Sequence, residues 1–136
     1  MGHRPSSRPA PSRVPGSIPA RVSRLAYPRV VVSVTVADLA GWLRAGDDRH
    51  DAVCLDVDNG PEWTVTVDNA ALYGDPGLSA VDRRLAPSGR LAVWSAHRAP
   101  AFEAGLRERY RTVETREVPV ARGEPDVVWV ASGPRS

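Results

Sequence analysis

Lysine is absent from this 136-residue chain, and every basic side chain other than histidine is arginine. That bias reads as the mark of a GC-rich coding sequence and carries no chemistry of its own. Cysteine occurs once, as Cys54, which excludes an internal disulfide and any cysteine-based metal cluster. Because Cys54 lies in an apolar run, a buried and inert thiol is expected. No apolar run approaches the ~20 residues of a membrane-spanning helix, so no membrane partner is expected. His3, His50 and His97 have no metal-ligand spacing, and no metal site is expected.

Acids are missing from residues 1–29, which hold six arginines. The remaining residues carry 12 arginines against 16 acids, a charge of −4, so the high isoelectric point belongs to the N-terminal tail. No basic face continues past residue 29, which argues against nucleic acid as a partner. The Pro-, Ser- and Arg-rich stretch 1–28 is too poor in apolar surface to offset chain entropy and reads as a disordered tail. It has no hydrophobic core of a secretory signal, and its prolines oppose the amphipathic helix of a transit peptide. The expectation is a cytoplasmic protein with one domain over residues 29–132 and a short tail, 133–136.

From Val30 the pattern changes. Val30–Val36 is rich in β-branched residues and predicts a strand. Asp38 stands at an N-cap position, Leu39, Trp42 and Leu43 share a helical face, and Gly46 suits a helix stop. Asp51–Val57 predicts a second strand, apolar almost throughout, as in a parallel sheet covered on both faces. A helical region from 68 to 85 is broken near Gly74–Gly77. Arg90–Ser95 predicts a third strand, 101–110 an amphipathic helix, and 113–120 and 126–131 two closing strands. The sum is an α/β open sheet, mostly parallel, whose last pair can be antiparallel.

The most informative stretch is Asp51–Trp63. Asp56 and Asp58 fall at the C-terminal end of a predicted parallel strand, where open α/β sheets bind ligands. A carboxylate there can take a proton from an amine or orient one for attack. The plain alternative is that Asp58 and Asn59 form an Asx turn into Gly60-Pro61. Trp63 is the one tryptophan expected near a site, while Trp42, Trp94 and Trp129 are expected in the core. Ser95 and His97 follow a strand but lack the hydrolase Gly-x-Ser-x-Gly elbow, and read as surface loop.

Asp56-Val-Asp58-Asn-Gly60-Pro61, the later Leu72-Tyr73 and the run Leu85-Ala-Pro-Ser-Gly89-Arg-Leu-Ala-Val93 together resemble the spermidine synthases (polyamine aminopropyltransferases) and, more broadly, the S-adenosylmethionine-dependent methyltransferases. The resemblance covers residues 30–132. It implies a Rossmann-like fold and transfer of an aminopropyl or methyl group from decarboxylated S-adenosylmethionine or S-adenosylmethionine to a small-molecule amine or similar acceptor. By the resemblance Asp56 activates the acceptor amine and borders the donor, Asp38 meets the adenine amino group, and Asp58, Trp63 and Tyr73 face the substrate. Two departures stand out. The linker between the two acids is short, with Val57 where a small polar residue is common. The Gly-rich loop and ribose-binding acid of the family's cofactor-binding half should precede Val30, and residues 1–29 offer neither.

These readings predict a transferase relative that is weakly active or inactive alone. The competing expectation is a non-catalytic interaction domain with a basic tail. Strand 30–36 is expected to pair in parallel with 52–57. Failing that, an open edge on 52–57 should recruit a second copy or a partner chain.

Overall fold

The computed structural model describes residues 22–27 and 30–135. They divide into two compact units, the boundary falling after Asp38. In the first, β1 (Val22–Tyr27) and β2 (Val30–Thr35) form a two-stranded antiparallel sheet with Val22 opposite Thr35 and Tyr27 opposite Val30. Two expectations are corrected here. Residues 22–27, read as part of the tail, form a strand. The strand at 30–35 pairs with this sequence neighbour and not in parallel with 52–57. A short connection between antiparallel strands closes at lower entropic cost than a helical crossover, which accounts for the choice. Most of the tail read over 1–28, and the C-terminal Ser136, lie outside the described residues.

The second unit runs α1 (Leu39–Ala45), β3 (His50–Leu55), α2 (Val67–Tyr73), α3 (Asp75–Arg84), β4 (Leu85–Ser95), α4 (Pro100–Arg109), β5 (Tyr110–Val118) and β6 (Asp126–Pro134). It is an α/β unit with a mixed four-stranded sheet in the order β3-β4-β6-β5. β3 and β4 are parallel, and β6 is antiparallel to both β4 and β5. The predicted helix break falls where α2 meets α3. Thr66 caps α2, its hydroxyl accepting from Asn69 N at 3.1 Å. Among the described residues no helix is long and apolar enough to cross a membrane.

Strand periodicity sorts the sheet into two faces. Leu91, Val93, Val127, Trp129 and Ala131 are buried and join Leu78, Val81 and Leu106 from the helices in one core. Phe102 meets Trp129 and Tyr73 edge to face, at 5.3 and 5.7 Å between centroids. Tyr110 and Arg109 both bond to Asp82, at 2.5 and 2.8 Å, tying α4 and β5 to α3. Burial and the Asp82 carboxylate raise the Tyr110 hydroxyl pKa, so it stays a proton donor. The opposite face carries Cys54, which is exposed, and Ala92, Trp94, Val128 and Val130, which are half-buried. The expectation of a buried thiol is corrected: Cys54 is exposed, on a strand at the edge of this sheet.

Arg84, at the end of α3, is 1% exposed. Its guanidinium sits 4.1 Å from the Trp42 ring centroid, and Nε and Nη1 find no hydrogen-bond acceptor among the described residues. Gly46 makes room for it, since a Cβ there would overlap the guanidinium. The cation–π contact is worth about 2 kcal/mol. Two unmet donors cost about 1–3 kcal/mol each, so the balance runs against the charge. Arg84→Met, which keeps the packing and a sulfur–ring contact, is expected to raise unfolding free energy by about 1–2 kcal/mol. Urea denaturation measures this, and a loss of stability would show that the guanidinium is satisfied in solution.

Candidate functional site

The chain leaves β3 at Leu55 and crosses the C-terminal edge of the parallel pair through Asp56–Gly60. The sequence places Asp56 and Asp58 at this edge, and both are there. Their surroundings differ. Asp56 is exposed and makes no hydrogen bond or ion pair among the described residues. Asp58 is half-buried, and its Oδ2 accepts from Val65 N and Asn69 Nδ2, both at 2.8 Å. Asp58 has the left-handed φ of 55°, which acids tolerate better than most residues. The carboxylate fastens the 58–66 loop onto α2, a longer-range form of the turn reading.

The loop is pinned from below as well. Gly60, with φ of 114°, packs directly on Ser95 at the end of β4. Ala96 N donates to Asn59 O at 3.0 Å. The Ser95 hydroxyl donates to His97 O at 2.7 Å and accepts from His97 N at 3.2 Å. Ser95 is therefore buried structure rather than surface loop, and it bonds the backbone of His97, not its ring. Trp63 lies over the His97 ring, stacked at 4.9 Å between centroids, and is 60% exposed. Tyr73 is 6% exposed, and its hydroxyl donates to Val57 O at 2.9 Å. Burial raises its pKa, helped by the nearby Asp58 and Asp56 charges. Tyr73 thus stands as a post beneath the Asp56–Asp58 segment.

A groove of about 360 Å³ follows β3 on the side of α1. Leu39, Leu43 and Trp42 form one wall, Ala52 to Val57 the other, and among the described residues Asp56 is the only acid lining it. Trp42 is partly exposed and stacks on His50 at 5.9 Å. It is therefore a groove wall, not the core residue expected. Asp56 thus faces Trp42 and apolar side chains, while Trp63 sits over the loop with His97. Asp38 is exposed and closes the other unit.

A second cleft of about 360 Å³ lies between α4 and the β5–β6 pair, unforeseen from the sequence. Glu103 accepts from Trp129 Nε1 at 2.9 Å, from Arg107 at 2.6 Å and from Thr115 at 3.0 Å. The Trp129 bond, then the Arg107 bond, hold its carboxyl below the usual carboxylate range. Arg98 is paired with Glu117 at 2.6 Å. The arginines of this cleft are thus already matched to acids, and the arrangement is structural. Only the i,i+4 spacing of Glu103 and Arg107 was legible beforehand.

Among the described residues no group of three or more His, Cys, Asp or Glu side chains is placed to hold a metal ion. No protein-family model matches the chain, and no curated protein matches it.

Proposed function

We propose that this protein is a spermidine synthase-like relative of the transferases that move an aminopropyl or methyl group from an S-adenosylmethionine-type donor to an amine or similar small nucleophile, with little or no turnover by itself. The observation that carries the reading is the sheet. β3, β4 and β5 run in one direction, and β6 alone is antiparallel, inserted between β4 and β5. This supports a Rossmann-like half-domain of the kind the resemblance implies, open at β3, with Asp56 at the edge that binds ligands in such sheets.

The groove residues suit the acceptor better than the donor. One exposed carboxylate, an indole face and aliphatic walls match a primary amine on an alkyl chain, the charge against Asp56 and the methylenes along Leu39 and Leu43. When bound, a donor of this type would supply a carbon made electrophilic by its sulfonium. Asp56 would hold and orient the amine, and its carboxylate would take the proton that the nitrogen gives up and pass it to water. Asp58 and Tyr73 position Asp56 through the loop.

Calorimetry with S-adenosylmethionine, its decarboxylated form and a short diamine tests the reading. Diamine binding that Asp56→Asn weakens about tenfold, the cost of losing one charge-assisted bond, is the expected result. No binding of any of the three, or binding indifferent to Asp56→Asn, would remove the amine-transfer assignment.

Two observations favour the second reading, a non-catalytic interaction domain: among the described residues β3 pairs on one side only, and Asp58 and Tyr73 are engaged in holding the loop.

A further inference from the structure

The groove beside β3 carries a carboxylate at one end only. Asp56 stands just past the C-terminal end of β3 and His50 at its start, separated by about 20 Å of extended chain. Between them the lining is Leu39, Leu43, Ala52, Val53, Cys54 and Leu55, none of them charged. Asp47, Asp48 and Asp51 are exposed and close to His50 in sequence, and none of them lines the groove.

The His50 end is also unfavourable to a cation. Its ring is Trp42, stacked on His50. The Arg84 guanidinium already lies 4.1 Å from the Trp42 centroid, with Nε and Nη1 lacking acceptors among the described residues. A positive charge so close to the indole, with two donors unmet, repels a second one. Trp42 therefore offers area to methylenes and not a further cation–π site.

We infer that the groove selects a primary monoamine with an apolar tail over a diamine or polyamine, with the ammonium at Asp56, the tail along β3 toward Trp42, and Arg84 acting through Trp42 to exclude a second positive charge. The inference rests on the proposed amine site and narrows its substrate class. A diamine still enters by one end, because Asp56 accepts one ammonium. Its other ammonium must then give up water against aliphatic walls or turn out of the groove, and the methylenes follow it. An alkyl tail meets neither obstacle and gains from lying down.

Calorimetry on the full chain with hexylamine and hexane-1,6-diamine is the test. Hexylamine is expected to bind about tenfold more tightly. Going from butylamine to hexylamine should tighten binding about fourfold, as for two half-buried methylenes, while butane-1,4-diamine and hexane-1,6-diamine should differ by less. Arg84→Met, with circular dichroism unchanged, should narrow the gap between the two hexyl compounds to about threefold. A gap indifferent to Arg84→Met would remove Arg84 from the selection. A diamine bound as tightly as hexylamine, with Asp56→Asn weakening both, would overturn the inference and leave the amine site standing. If neither amine bound, or if Asp56→Asn changed neither, the amine site itself would fall and the inference with it.

Discussion

Trp129→Ala is expected to lower the unfolding free energy by about 3–5 kcal/mol, the range for emptying a large aromatic site. Trp129 is 1% exposed and, among the described residues, the largest fully buried side chain. Its ring holds Phe102, and through it Tyr73, so the cavity opens beneath both α4 and α2. Its indole N–H is also one of the donors to Glu103, which would keep only Arg107 and Thr115. Domains of this size have roughly 5–15 kcal/mol in all. Part of the Trp129→Ala population should therefore be unfolded at 37 °C. Chemical denaturation followed by far-ultraviolet circular dichroism measures the loss. Trp63→Ala serves as the control, since an exposed side chain should change stability by less than about 0.5 kcal/mol. Equal losses in the two variants would mean that the core is not centred on Trp129.

Gly60→Ala is expected to cost about 3 kcal/mol or more and to release the candidate site. Two independent terms add. A φ of 114° is a conformation that side chains with a Cβ rarely adopt, worth about 1–3 kcal/mol. The added Cβ would lie 2.9 Å from the Ser95 Cα and closer still to its side chain, and a strand backbone cannot step aside cheaply. The loop would lift from β4, breaking the Ala96 to Asn59 bond and moving Asp56. Gly105→Ala provides the opposite sign. Nothing lies within 4 Å of a Cβ there, and it is in a helix interior, so a gain of about 0.5–1 kcal/mol is expected. Thermal melts of both variants check the contrast, and a neutral Gly60→Ala would show that the 58–61 turn is free to re-form.

The parts of this fold that were legible are those set by short-range patterns. The β-branched run at 30–36, the alternating run at 90–95 and the Gly74–Gly77 break each declare their own local geometry. Helix and strand ends moved by a few residues, as with 113–120, where the strand is Tyr110–Val118. What did not follow was pairing. Nothing local distinguishes a strand buried on both sides from an apolar edge strand, so neither the exposure of Cys54 nor the partner of 30–36 follows from the pattern. The C-terminal-edge position of Asp56 and Asp58 was legible because strand direction follows from the crossover rule. The division of labour between them was not, since it depends on Val65 and Asn69 folding back over the loop.

The insertion of β6 between β4 and β5 has a consequence for synthesis. The ribosome delivers β5 before β6, yet β5 has no neighbour in the sheet until residues 126–134 have emerged. Until then β4 is paired on one side only, and Leu91 and Val93 have no cross-strand partners from Val127, Trp129 and Ala131. The ladder that finally forms joins Arg90 to Ser132 and Ser95 to Val127, contacts distant in sequence and correspondingly slow to find. The nascent chain therefore waits with two separated halves, the β3–β4 crossover and the α4–β5 arm. A single later strand then welds them, making β6 the keystone of the sheet.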